Sequence, residues 1–353
     1  MNQHDNNQEK QNGRKVFLDL IKILAILMVL YNHRYTYTGA SDWVDFSIHH
    51  ILLQSLATIC RCGVPLFFLT SGVVLLRKEE SIGTLLLHRL LRIVIVMVIC
   101  TFIRAQGDFS FSNLVDVFFT KLNWYLWAYF DYLLMLPFLR KIALHTSFEL
   151  ARVYVILVIL FYTASGIMSW YGFYTGLIDH APLFNTQFGS LCWPFIFPLT
   201  GYWIDKYYDR FKPYIVRLFL PGSLVTVAIS VYLAVTDFIT TQGANQELVR
   251  VQFIFLPSCL IFCLCRAIYD KCPLFRTGKL DRYLIAISGT TFGIFIIETH
   301  ANLINLINYQ LSISSLGTLH PYLLGWLSLL IQFCICSTLT YVLKKLPFLK
   351  KLL

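Results

Sequence analysis

Long apolar stretches alternate with short polar segments along almost the whole chain. A helix needs about 20 predominantly apolar residues to cross the hydrocarbon core of a bilayer, and ten stretches of suitable length follow the polar segment 1–15. The predicted spans are 17–36, 49–76, 90–106, 123–139, 152–169, 190–204, 216–236, 251–269, 284–308 and 322–343. This pattern predicts an all-α integral membrane protein, folded as a bundle of about ten transmembrane helices.

Two prolines distinguish the sixth stretch, which is also short. Pro194 and Pro198 each lack a backbone donor and clash with the preceding helical turn. We therefore expect this helix to be tilted, kinked or partly re-entrant.

Lys and Arg are concentrated in alternate loops. If the N-terminus is cytoplasmic, the N-tail, the even-numbered loops and the C-tail hold 23 of the 29 Lys and Arg residues. Cytoplasmic loops carry this excess, so both termini are predicted to be cytoplasmic in a multi-pass protein of the cytoplasmic membrane. The expected organisation is a disordered tail at 1–15, one transmembrane domain at 16–345 and a basic tail at 346–353.

Composition narrows the class further. The chain is 57% apolar and only 14% charged, which lies outside the range of ordinary soluble domains. The formal charge of +10 could suit nucleic acid, but the basic residues lie in short clusters between apolar stretches, which argues against that partner. Most of the ten cysteines lie within apolar stretches and are expected to be buried thiols. Neither a P-loop nor H-E-x-x-H occurs, so we expect no nucleotide hydrolysis and no metal site.

The first apolar stretch carries Asp19, Lys22 and His33 on one helical face. Eleven steps of about 100° separate Lys22 from His33, which puts these side chains about 16 Å apart along the axis. Asp19 is within reach of an ion pair with Lys22. Ionisable groups at membrane depth usually face a protein interior or a wet cavity, so this stripe predicts a polar path. The alternative is that Asp19 and Lys22 neutralise each other near one surface while His33 lies in the opposite interface.

Three arginines add basic groups near the second and third spans. Arg61 lies within the second span, and Pro65 frees the carbonyl four residues earlier, which predicts a polar pocket beside a kink. Arg89 and Arg92 are three residues apart and share a face that suits a phosphate-bearing ligand. The alternatives are an Arg61 held by backbone carbonyls and an arginine pair that anchors its helix among lipid headgroups.

Polar residues also occur within the fourth and ninth spans. Trp124 fits an outer aromatic belt, and Asp131 is deep enough in the membrane to need a donor. Glu298 and His300 lie two residues apart in the outer half of the ninth span. Either residue alone would usually be structural, but together they predict a hydrophilic cavity.

Taken in order, these motifs resemble the membrane-bound acyltransferase family 3, the bacterial O-acyltransferases that modify cell-surface glycans. "FLDLIKILAILMVLYNH" is similar to the first helix of that family, with an Asp, then Lys or Arg, then ten residues and a His. "RCGVPLFFLTSGVVLL", the step from Arg89 to Arg92, a Trp-bearing fourth helix and "TTFGIFII" follow. The matching segments run from residue 16 to about residue 305.

The resemblance implies an enzyme that moves an acyl group, commonly acetyl, from cytoplasmic acetyl-CoA to a hydroxyl of a cell-surface or lipid-linked carbohydrate. His33 is then the catalytic histidine, and Arg89 and Arg92 fill the family's R-x-x-R motif. The family often has His where this chain has Glu298, so the sequence leaves the role of that segment open. We assign His33, Lys22 and Asp19 to catalysis, Arg89, Arg92 and Arg61 to the acyl-CoA donor, and Trp124, Asp131, Glu298 and His300 to the acceptor.

Acyl-CoA is expected as a donor substrate rather than a permanently bound cofactor. The other expected partners are membrane lipids, the carbohydrate acceptor and envelope-assembly proteins. His33 could act as a general base or as a nucleophile that carries the acyl group. Two other classes stay open: a transporter or flippase for a lipid-linked saccharide, which also needs a polar path, and a sensor or assembly subunit without chemistry.

Overall fold

The computed structural model describes residues 14–34, 48–78, 80–105, 107–175, 186–241, 253–276, 280–300 and 321–352. Every regular element within these ranges is helical, with π-helical turns at Leu85–Leu90, Val117–Lys121 and Ile215–Phe219. The helices are α1 Phe17–Arg34, α2 Ile48–Cys60, α3 Gly63–Leu75, α4 Ile82–Arg104, α5 Phe111–Asp116, α6 Trp124–His145, α7 Phe148–Thr175, α8 Thr186–Lys206, α9 Tyr208–Tyr214, α10 Leu220–Thr241, α11 Phe255–Lys271, α12 Pro273–Arg276, α13 Asp281–Ser288, α14 Thr291–His300, α15 Pro321–Leu343 and α16 Pro347–Leu352.

A helix overlaps each of the ten predicted spans. Within the described ranges, four helical segments are long and apolar enough to cross a membrane by length and composition: Gln54–Leu75, Ile82–Arg104, Tyr208–Thr236 and Trp326–Leu343. The fold is therefore that of a helical membrane protein. The count of ten spans and the cytoplasmic placement of the termini stay predictions.

The second predicted span is interrupted by a turn at Arg61 and Cys62. α2 ends at Cys60 and α3 begins at Gly63. In the turn between them, the Arg61 amide is shared between the Ala57 and Thr58 carbonyls, at 3.2 Å from each. Pro65 lies in the first turn of α3, where a missing amide donor costs little. The interruption therefore lies at Arg61 and Cys62, before the proline.

α8 and α3 cross with their backbones in close contact. α8 is helical through both Pro194 and Pro198. A Cβ atom added to Gly72 of α3 would overlap the Pro198 backbone, and one added to Gly201 of α8 would overlap the Leu69 backbone. Small residues allow this approach between membrane helices. The crossing fixes the position of α3, which carries Thr70 and Ser71 of the candidate site.

Asp205, at the end of α8, gathers basic residues from three other parts of the chain. Its buried carboxylate accepts hydrogen bonds from Lys15 at 2.5 Å, Arg77 at 3.0 Å and Arg266 at 2.8 Å. Lys15 belongs to the N-tail, Arg77 to the loop after the second predicted span and Arg266 to the last turn of the eighth, and the prediction puts all three on one side of the membrane. The cluster brings those segments to one end of the bundle, as the alternate-loop pattern requires.

The opposite end of the bundle has its own polar contacts. Arg104, the last residue of α4, donates to the backbone carbonyls of Lys121 and, at 3.0 Å, Thr299. Arg104 and Lys121 lie in or beside a predicted outer loop, and Thr299 lies in the predicted outer half of the ninth span. The contact ties α4 to the end of α14, where Glu298 is located.

Candidate active site

The N-terminal end of the α1 stripe is organised around Asp19. This buried carboxylate accepts two hydrogen bonds from Arg14, at 2.9 and 2.8 Å, and one from the Ser288 hydroxyl at 2.6 Å. Lys22 Nζ lies 3.6 Å from the same carboxylate, so its ion pair is the looser one. Asp19 therefore connects the chain before α1 to α13. Lys22 lines the neighbouring cavity.

A cavity of about 490 Å³ opens beside Lys22 at this end of the bundle, and we call it the inner cavity. It is lined by groups from α1, α3, α4, α6 and α13, together with Thr291, Phe292 and Phe295 of α14. Its basic and hydroxyl-bearing residues include Lys22, Ser71, His88, Arg89, Arg92 and Ser288. The structure thus brings together Lys22 and both arginines of the R-x-x-R step.

The two arginines of that step differ in their contacts. Arg89 forms a two-pronged ion pair with Glu80, and Arg140 donates to the same carboxylate at 3.0 Å. Arg92 donates to the Leu352 carbonyl at 3.0 Å. Two guanidinium groups share one carboxylate, so this cluster keeps a net positive charge beside the cavity. The Arg89 guanidinium, with help from Arg140, lowers the pKa of Glu80 to about 2.

The lowered pKa of Glu80 predicts the pH range over which its ion pairs with Arg89 and Arg140 stabilise the protein. A carboxyl group with a lowered pKa stabilises the folded state above its ordinary pKa of about 4.3, and that contribution is lost as the pH falls toward 2. We expect the difference in melting temperature between wild type and Glu80→Gln to stay constant from pH 8 to 5 and to shrink below about pH 4. Thermal unfolding in detergent measures it, and a difference that changes between pH 8 and 6 would contradict the assignment.

A second cavity, of about 140 Å³, lies beyond the first, and we call it the outer cavity. Its polar lining comes from α1, from the turn between α2 and α3, and from the starts of α6 and α8: Asn32, His33, Arg61, Asn123, Trp124 and Trp193. Asn32 Oδ1 and Trp193 Nε1 are buried and have no hydrogen-bond partner among the described residues. One is an acceptor and the other a donor, so the cavity offers both to a hydroxyl-bearing ligand.

His33 is hydrogen-bonded to Glu298 across the bundle. Its Nδ1 lies 2.8 Å from Glu298 Oε2, and the Thr299 hydroxyl donates to the same oxygen at 3.3 Å. Glu298 is buried, with 4% of its side chain exposed, whereas His33 is 38% exposed. A carboxylate beside Nδ1 favours the tautomer with its proton there, which leaves the Nε2 lone pair to accept a proton. The pair can therefore work as a general base held in a fixed orientation.

The remaining predicted site residues are distributed unevenly. Arg61 and Trp124 line the outer cavity, so Arg61 lies with His33 rather than with Arg89 and Arg92. Asp131 is half-buried on α6 and lies on neither cavity. His300 ends α14, and its side chain lies outside the described part of the chain.

Several residues that shape the site are not predicted from the sequence. Arg14 belongs to the predicted tail, although it lies five residues before Asp19 in "GRKVFLDL" and bonds to it. Glu80 and Arg140 are distant in sequence and gave no pattern. Tyr125 and Phe295 line both cavities, but in the sequence nothing distinguishes them from the other apolar residues of their helices.

Fold and site together define a helical membrane protein with a polar interior, a basic cavity toward one end and a histidine–carboxylate pair toward the other. A family model described as an acyltransferase domain matches residues 15–343, and the chain belongs to this family. The protein is thus a membrane acyltransferase. Searches of curated proteins and of solved structures return no match.

Proposed function

We propose that the protein transfers an acyl group, acetyl in the common case, from cytoplasmic acyl-CoA to a hydroxyl of a cell-surface or lipid-linked carbohydrate. The observation that carries the proposal is the 2.8 Å hydrogen bond between His33 and Glu298, with His33 on the outer cavity. A base of this kind activates a hydroxyl for attack on a thioester. A carrier that only moves a saccharide does not need one.

The inner cavity supplies the donor site in this proposal. CoA carries several phosphate groups, and guanidinium groups bind phosphate through paired, charge-assisted hydrogen bonds. Arg92 and Lys22 line the cavity, and the Arg89 cluster adds net positive charge. The volume of about 490 Å³ is in the range of small-molecule sites. The flexible pantetheine arm then extends from the phosphates toward the outer cavity.

The transfer step takes place at His33. Nε2 accepts the proton of the acceptor hydroxyl while its oxygen attacks the thioester carbonyl, and Glu298 stabilises the imidazolium that forms. The carbon–sulfur bond then breaks, the imidazolium returns its proton to the leaving thiolate, and free CoA and the ester are the products. In this proposal Arg61, which lines the same cavity, stabilises the negative charge that develops on the carbonyl oxygen. The Glu298 contact favours this base mechanism over an acylated His33.

The outer cavity suits a carbohydrate acceptor. Trp124 and Trp193 lie with ring centroids 5.6 Å apart, and aromatic faces of this kind pack against the apolar faces of sugar rings. The buried Asn32 Oδ1 and Trp193 Nε1 can pair with sugar hydroxyls. Asp131 and His300 keep their predicted acceptor roles as proposals.

Purified protein in lipid nanodiscs tests this function directly. With [¹⁴C]acetyl-CoA and a panel of glycans and polyprenyl-linked saccharides, we expect release of free CoA that depends on the acceptor, and label in the glycan. Movement of saccharide across proteoliposomes without any CoA release would instead establish the carrier alternative and overturn the proposal.

The donor site yields a separate prediction. Replacing Arg89 and Arg92 together with Gln should raise the KM for acyl-CoA by about tenfold or more, because each charged hydrogen bond contributes roughly 1.5–3 kcal/mol, and should change kcat less. The matched control is Arg152→Gln with Lys212→Gln, which removes two charges from exposed ion pairs away from the cavity. An unchanged KM in the first variant would refute the donor site.

A further inference from the structure

Two aromatic rings form the wall between the inner and outer cavities. Tyr125 at the start of α6 and Phe295 on α14 are the two residues that line both. Their ring centroids are 5.0 Å apart at an interplanar angle of 69°, an edge-to-face contact. Both side chains are buried. A group that passes from one cavity to the other along the residues they share therefore passes beside this pair.

Aromatic contacts and a backbone hydrogen bond hold Tyr125 in place. The Tyr125 ring lies 5.5 Å from the ring of Phe68 and stacks on Tyr129 at 6.0 Å. The Tyr125 amide donates to Asn123 Oδ1 at 2.8 Å, which fixes the first turn of α6. Phe68 is itself fully buried. Close-packed rings of this kind leave few alternative rotamers, so the wall has little freedom to yield to a bulky group.

The wall also lies directly beside the reacting groups. Phe295 precedes Glu298 by three residues on α14, so the two side chains share a helical face, one turn apart. Asn123, which caps the helix of Tyr125, lines the outer cavity together with His33. A thioester that reaches His33 from the inner cavity therefore has its acyl group next to these rings. The outer cavity, at about 140 Å³, must hold that acyl group and the acceptor hydroxyl together.

We propose that Tyr125 and Phe295 determine the length of the acyl group that the enzyme transfers, admitting acetyl and excluding longer chains. This inference rests on the proposed acyl-CoA donor and extends it to donor specificity. A two-carbon acyl group fits in the outer cavity of about 140 Å³ beside the two rings, whereas a longer chain would have to displace one of the rings that line it. Shortening either ring should open the wall toward the outer cavity.

The test compares acetyl-, butyryl- and hexanoyl-CoA in the nanodisc assay. We expect wild type to use acetyl-CoA at least tenfold better by kcat/KM. In Phe295→Leu, Phe295→Ala and Tyr125→Leu, the butyryl-to-acetyl ratio should rise at least tenfold. Tyr125→Phe, which keeps the ring, should retain the wild-type ratio. The control for general loosening is Phe262→Ala, a fully buried ring that lines neither cavity and should leave the ratio unchanged.

The outcomes separate this inference from the function on which it rests. Acetyl transfer by wild type with an unchanged ratio in the Leu variants would overturn the inference and leave the proposed function standing. A wild-type enzyme with equal kcat/KM for hexanoyl-CoA and acetyl-CoA would also overturn the inference and leave the proposed function standing. Failure of wild type to turn over any acyl-CoA would overturn both. The Leu variants keep an apolar side chain in the wall, so they carry the test if an Ala variant fails to fold.

Discussion

His33→Ala is expected to lower acyl transfer by about 10²–10⁴-fold, the usual contribution of a positioned general base. The melting temperature should fall as well, because the buried Glu298 carboxylate loses its imidazole partner, so activity is compared per amount of folded protein. The loss should appear in kcat, since the proposed donor site is the inner cavity, away from His33. Acetyl transfer from radiolabelled donor, normalised to the amount of purified protein, measures it.

Variants of Glu298 show whether the histidine acts alone. Glu298→Gln keeps an acceptor for Nδ1 but removes the charge that stabilises the imidazolium, so we expect an intermediate loss in kcat with an unchanged KM for acyl-CoA. The double variant with His33→Ala should be no worse than His33→Ala alone, because the carboxylate acts through the ring. His145→Ala, an exposed histidine at the end of α6, is the matched control. Wild-type activity in His33→Ala would eliminate the base mechanism.

Much of the fold follows from the spacing of apolar residues. A helix overlaps every predicted span because membrane-length apolar segments satisfy their backbone hydrogen bonds internally. The breaks within spans are harder to predict. The turn at Arg61–Cys62 precedes the proline expected to cause it, and it depends on how α2 and α3 pack against their neighbours, which local sequence does not encode.

Part of the candidate site also follows from the sequence, and part depends on tertiary packing. The α1 stripe and the Arg89–Arg92 step come from helical periodicity, and the structure brings Lys22 and both arginines to one cavity. The partner of His33 is Glu298, 265 residues away, and local sequence does not identify this contact. Arg61, predicted to bind the donor, lines the outer cavity with His33, and its role stays a prediction. Charge and spacing therefore identify polar groups, but tertiary packing decides which of them meet.

Gly72→Ala is expected to destabilise the protein by about 3 kcal/mol or more, at the upper end of the overpacking range. The new Cβ would overlap the backbone of Pro198, and a backbone carbonyl on a membrane helix cannot rotate away as a flexible side chain can. α3 and α8 would have to separate along their crossing. Gly201→Ala should behave similarly, since its Cβ would overlap the Leu69 backbone.

Gly83→Ala provides the matched control for this prediction. It makes the same chemical change near the start of α4, where the nearest atom to the added Cβ is Ser81 Oγ at 4.0 Å. It should be neutral or slightly stabilising, because alanine favours helix. Melting temperatures in detergent and the amount of folded protein in membranes compare the three variants.

Because α3 carries Thr70 and Ser71 of the inner cavity, any folded Gly72→Ala should also bind acyl-CoA more weakly. Equal melting temperatures for Gly72→Ala and Gly83→Ala would mean that the two helices do not cross this closely.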